Sequence, residues 1–180
     1  MNGLNESGMH KTVSRIGKFR DPDGRVEAMS KAGMPIASLR EMFPERFIAQ
    51  ENHEGNILVN VGIQGLWKLA CGLTSPPGAW NAANAKVRVG TGAGAAAATD
   101  TQATFTSPVD KAMDSTYPLL SGQQIQFHGT YGSADANQAW NEYGVINGDG
   151  TPVLLNRYVV SKGTKASGET WTLEIDITLS

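Results

Sequence analysis

The sequence predicts a mainly β fold: an antiparallel β-sandwich or small barrel with one packed α-helix and an extended N-terminal arm. Three features point there. They are a series of short alternating runs after Lys86, one glycine-containing helical pattern after Asn56, and a charge-dense opening segment without strong periodicity.

The alternating runs are KVRV, TQATFTS, QQIQFHGTY, WNEYGVI, PVLLNRYVV and ETWTLEIDITL, separated by turn residues. In the last, Trp171, Leu173, Ile175, Ile177 and Leu179 fall on one face and Thr172, Glu174, Asp176 and Thr178 on the other. That period of two marks a half-buried strand, its polar face expected to meet water. Asn147-Gly148-Asp149-Gly150 and Lys165-Ala166-Ser167-Gly168 carry the residue types that tight turns demand. About five or six strands of this kind make a sandwich or small barrel.

The helix is expected between Asn56, a candidate N-cap, and Gly72, a candidate C-cap. Val59, Ile63, Leu66, Trp67 and Ala70 recur at helical spacing and are expected to be buried. Gly62 and Gly65 each weaken such a helix by about 1 kcal/mol relative to alanine, so they are read as points of close approach, expected against a sheet. TSPPGAWNAANA then reads as a loop.

Residues 1–55 have a different texture. Up to Asn56 the chain carries 16 charged residues in 56, and only 16 in the following 124. A short amphipathic helix is expected from Pro35 to Phe43, stopped by Pro44. The segment cannot bury enough apolar surface alone to offset its ordering entropy. Its spaced anchors, among them Phe19, Met34, Ile36, Leu39, Phe43 and Phe47, predict an arm that lies on another surface, its own domain or a neighbouring subunit. Residues 56–180 form the β-rich domain.

Composition narrows the function. A net charge of −2 provides no basic footprint, so no direct contact with nucleic acid is expected. Ile57 to Leu73 is interrupted by Asn60, Gln64 and Lys68 and falls short of the roughly 20 apolar residues that span a bilayer. With one cysteine, Cys71, read as a core residue, and no apolar leader-like run in MNGLNESGMHKTV, synthesis in a reducing cytoplasm is expected.

Motifs for chemistry are weak. Gly90-Thr91-Gly92-Ala93-Gly94-Ala95 satisfies the dinucleotide pattern formally, but AAAATDTQATFTS follows where a helix must start. Gly90, Gly92 and Gly94 are therefore read as a close-packing link between strands and a possible contact loop. His53-Glu54 lacks a second histidine at metalloprotease spacing, and Asp21-Pro22-Asp23-Gly24 departs from a calcium loop and reads as a solvated turn. No catalytic residue, metal or cofactor is assigned. An enzyme reading would need Glu142, Asp176 or His128 to converge in a pocket. A glycan-binding reading would need Trp80, Trp140 or His128 at exposed loop ends, whereas four tryptophans are better spent in a core or subunit interface.

Several pieces taken together resemble a family. They are Asn60-Val61-Gly62-Ile63 to Leu69, Val87-Arg88-Val89-Gly90-Thr91-Gly92, Asp100-Thr101, Glu142-Tyr143-Gly144-Val145, Gly148-Asp149-Gly150-Thr151, Leu155-Asn156-Arg157 and Thr164-Lys165 before the closing strand. Over residues 56–180 the chain resembles small structural proteins of tailed bacteriophages, of the head-decoration or tail-fibre kind. The resemblance implies a non-enzymatic virion protein, foremost a head decoration or stabilising protein. Its partners would be major capsid or tail proteins and further copies of itself, in a trimer or another symmetric oligomer. A tail, neck or fibre component and a carbohydrate- or receptor-binding module are the alternatives.

Overall fold

Strand β1 (His10–Arg20) and strand β10 (Glu169–Leu179) pair antiparallel along all eleven residues, from His10 opposite Leu179 to Arg20 opposite Glu169. The structure is a computed structural model that describes residues 10–55, 57–148 and 150–179. After β1 come helices α1 (Arg25–Lys31) and α2 (Ile36–Met42), strands β2 (Phe47–Glu54) and β3 (Ile57–Leu58), and helix α3 (Asn60–Ala70). Then follow β4 (Ala85–Gly90), β5 (Val109–Ala112), β6 (Leu119–Ser121), β7 (Gln124–Tyr131), β8 (Glu142–Asn147) and β9 (Leu154–Val159).

Among the described residues the strands form two five-stranded sheets, ordered β2-β1-β10-β7-β6 and β3-β9-β8-β4-β5, with every pairing antiparallel. The expected mainly β sandwich is what the chain adopts. Trp171, Leu173, Ile175 and Ile177 face Val87, Val89, Tyr143, Val145, Trp140 and Leu155 across the core. Burying a large apolar side chain of this kind is worth about 1.5–3 kcal/mol, so the period of two in β10 selects the face that drives the two sheets together.

The N-terminal segment departs from the arm expected of it. Residues 10–54 supply two of the five strands of the first sheet and the helices that cover its outer face. Phe19, Val26, Leu39 and Phe43 form their own buried cluster, with Met34 and Phe47 packed against it. Ile36 is buried over Gly17 of β1, where an added Cβ would lie 2.7 Å from its Cγ2. Of the two surfaces expected to receive the anchors, the chain's own domain is the one they pack on. Sequence periodicity missed this because the satellite core is assembled from β1, α1, α2 and β2, none of which carries a full apolar stripe alone.

The polar face of β10 is also covered. Thr172, Glu174 and Asp176 are buried, because α1 and α2 lie over that face. Asp21, read as part of a solvated turn, is buried as well: it accepts hydrogen bonds from the amides of Val26 and Glu27 in the first turn of α1 and from the Thr170 hydroxyl.

The helix expected after Asn56 is α3, although Asn56 lies outside the described residues. Gly62 does approach a sheet closely, since a Cβ there would lie 2.6 Å from the Leu155 carbonyl oxygen of β9, whereas one on Gly65 would lie 2.8 Å from the ring of Trp80 in the loop after α3. The apolar face is not buried as expected, since Ile63 is 37% and Trp67 63% exposed. With Gly62 and Gly65 making the close contact, Ile63 and Trp67 stay outside it, while Leu66 and Leu69 pack against the main core. Cys71 at the helix end is exposed, not a core residue. TQATFTS forms a 3-10 turn at Gln102–Thr104 instead of a strand, capped by Thr101 and Thr104 on each other's backbone.

Candidate interaction surface

The glycine-rich loop after β4 holds a carboxylate through the amide of Gly92. Glu142 leaves β8 on the outer face of the second sheet, and its Oε1 accepts from the amides of Gly92 at 2.7 Å and Thr106 at 2.8 Å. Oε2 accepts from Nε and Nη2 of Arg157 at 2.9 and 2.7 Å, and Nη1 of Arg157 donates to Asp100 at 2.8 Å. Phe105 lies between the Arg88 and Arg157 guanidinium groups, each 5.5 Å from its ring centroid. Side chains on Gly90 or Gly92 would collide with Glu142, whereas Gly94 has open space around it. Of the three glycines read as a possible contact loop, Gly90 and Gly92 therefore serve an internal anchor. The amide that a phosphate would need is occupied.

Beside this anchor lies a shallow recess of about 500 Å³, lined by Ala93, Ala95, Ala96, Ile57, Arg157 and residues of β9. Its one cation, Arg157, is 2% exposed and already paired with two carboxylates. No free charge is left there to orient a ligand.

A second polar cluster sits under α1 and α2. His128 Nδ1 is 2.8 Å from Asp114, which also accepts from the Thr130 hydroxyl, and the His128 ring stacks on Tyr117 with centroids 4.5 Å apart. Glu174 Oε1 accepts from the Ile36 amide at 2.8 Å, so it ties the start of α2 to β10. Asp176 pairs with Arg15 and Gln126. Glu142 therefore lies apart, on the outer face of one sheet, while Asp176 and His128 share a cluster on that of the opposite sheet.

The third cluster closes the edge between the sheets. Lys18 and Lys162 both pair with Glu51, and the Lys18 ammonium lies 4.2 Å from the Trp171 ring centroid. Burial lowers the Lys162 pKa below its ordinary value, with Glu51 opposing that shift. Burial also lowers that of His53, whose ring lies beside Tyr158. Ser14 and Tyr143 share a 2.6 Å hydrogen bond farther along the seam. Among the described residues no group of three or more His, Cys, Asp or Glu is placed to hold a metal ion.

A large apolar cleft lies at one end of the sandwich. It measures about 690 Å³ and runs between α3 and the ends of β10 and the β6–β7 hairpin, lined by Leu58, Ile63, Leu66, Trp67, Leu179 and Gln123, among others. A smaller hollow of about 310 Å³ continues from it toward Phe127, Leu155 and Ile177, so the main core reaches solvent here. Leu120 at 70%, Trp67 at 63% and Leu179 at 49% exposure form the rim. Trp80, Trp140 and Trp171 are buried, which removes the tryptophan platform expected of a glycan-binding module and leaves Trp67 as the exposed one. Leu119-Leu120 was not singled out from sequence; an apolar pair beside Ser121-Gly122 in a polar neighbourhood is the signal that marks it.

Compared with known proteins, the chain matches no family model, no curated protein and no solved structure.

Proposed function

We propose that this protein is a non-enzymatic structural subunit of a virion of the tailed-bacteriophage type, a head decoration or stabilising protein in contact with copies of itself and with capsid subunits. One observation carries the non-catalytic part of this reading. The candidate catalytic residues are engaged in ion pairs and hydrogen bonds that fasten elements of the chain to one another, while the surface left without a partner is apolar. A catalytic carboxylate or histidine needs access to a reacting atom. Glu142 and His128 are 0% exposed, and Asp176 is 3% exposed.

The virion assignment rests on the resemblance of the short pieces in residues 56–180. Particle proteins work through repeated, multivalent contacts that are individually modest, and an apolar rim on a low-charge domain suits that use. The contacts are assigned to the open end of the sandwich and not to the buried anchors Phe19, Ile36, Leu39 and Phe43.

The test is mass spectrometry of density-purified particles released by the strain that carries the gene, with heads and tails separated. Recovery with heads at stoichiometric copy number is the expected result. Recovery with tails would move the assignment to a tail, neck or fibre component, and absence from particles would overturn it.

A further inference from the structure

We infer that the open end of the sandwich is a self-association surface, on which two copies meet about a twofold axis with their β6 edges adjacent and the Leu120 and Trp67 side chains of each covering the other's cleft. This deepens the structural-subunit reading by naming a contact between copies, and it is read out on the purified protein without any particle.

The four sheet edges are not alike. β2 carries Gln50, Glu51, Asn52, His53 and Glu54, β5 carries Asp110 and Lys111, and β3 is two residues long. Charge and shortness are the usual devices that keep an edge from pairing with another chain. β6 is also short, at three residues, but it carries no charged side chain, no strand pairs with its outer side among the described residues, and Leu119 and Leu120 are 48% and 70% exposed.

The neighbouring cleft favours an identical partner over a charged one. Its lining contains no Asp, Glu, Lys or Arg, and His10 is the one ionisable side chain on it, so two copies can face each other with few like charges brought together. A twofold contact requires one patch to be complementary to itself. Here a ridge, made by Trp67 and Leu120, stands beside a hollow that opens onto the core. Leu120, Trp67, Leu179 and Ile63 are all more than a third exposed at this end, and clustered apolar exposure of this kind marks a contact surface.

The experiment is sedimentation of the full chain between about 1 and 100 µM, a range that brackets the dissociation constants of modest interfaces. The wild type should sediment as a dimer, at twice the 19.1 kDa chain mass. Leu120→Lys and Trp67→Glu should each weaken dimerisation at least about 100-fold, since a desolvated charge costs several kcal/mol. Met42→Lys, exposed on α2, should leave it unchanged. Circular dichroism melts of the variants check that they stay folded. A monomer at all concentrations, a trimer or ring, or a dimer indifferent to both variants would overturn the proposal. So would a wild-type monomer that dimerises only once residues 1–9 are removed, because that chain would be covering its own cleft.

Discussion

The amide of Gly92 donates to Oε1 of Glu142 at 2.7 Å, and the absence of a side chain on Gly92 is what lets the carboxylate come so near. A glycine run that looks like an anion cradle is therefore one, with the anion supplied by the chain's own β8. Gly92→Ala should cost about 1–3 kcal/mol, the usual range for forcing atoms into a packed site. Gly94→Ala should lie within about 0.5 kcal/mol of wild type, because its Cβ meets nothing within 4 Å. Urea denaturation of the two variants checks the contrast.

Glu142→Gln should be more damaging than Gly92→Ala. The substitution leaves Arg157 buried with Asp100 as its remaining carboxylate, and it replaces an acceptor of four hydrogen bonds with a group that must donate at one end. Removing one partner of a buried pair costs about 3–5 kcal/mol. Faster proteolysis in residues 91–106, relative to the rest of the chain, should accompany the loss.

Leu39→Ala tests whether the first 55 residues belong to the folded monomer. Leu39 is fully buried among Phe19, Val26 and Phe43. Truncation should lower the stability of the isolated chain by about 2–5 kcal/mol. An arm that ordered only against a neighbour would give no change in the denaturation midpoint of the free protein.

Glu51 sets part of the acid limit of stability. Its burial opposes ionisation, but the hydrogen bond from Lys18 and the ion pair with Lys162 prevail and hold its pKa below the ordinary 4.5. The unfolded chain takes up this proton first as pH falls. The stabilisation is thus present above the ordinary glutamate range and is lost as pH drops through the lower, folded value. Glu51→Gln should be less stable than wild type at pH 7, and the difference should shrink steadily below about pH 4. Denaturation midpoints at several pH values measure it.

Local pattern and tertiary context divided the determination of this protein along a clear physical line. The alternation in β10, the glycines of α3, the amphipathic helix before Pro44 and the turn residues before β10 were legible because each needs only neighbours within the same segment. Those signals established the mainly β sandwich and the close approach of a helix to a sheet. What lay beyond them required partners distant in sequence. Residues 10–54 became sheet and cover instead of arm because β10, some 160 residues along, supplies the pairing edge for β1. Gly92 became an anchor because Glu142 and Arg157 arrive from other strands, and Trp67 and Leu120 became neighbours on one apolar rim because α3 and the β6–β7 hairpin meet at one end of the sandwich. Periodicity reports which face of an element is apolar. Only the packed structure decides whether that face is used up inside the chain or left for another one.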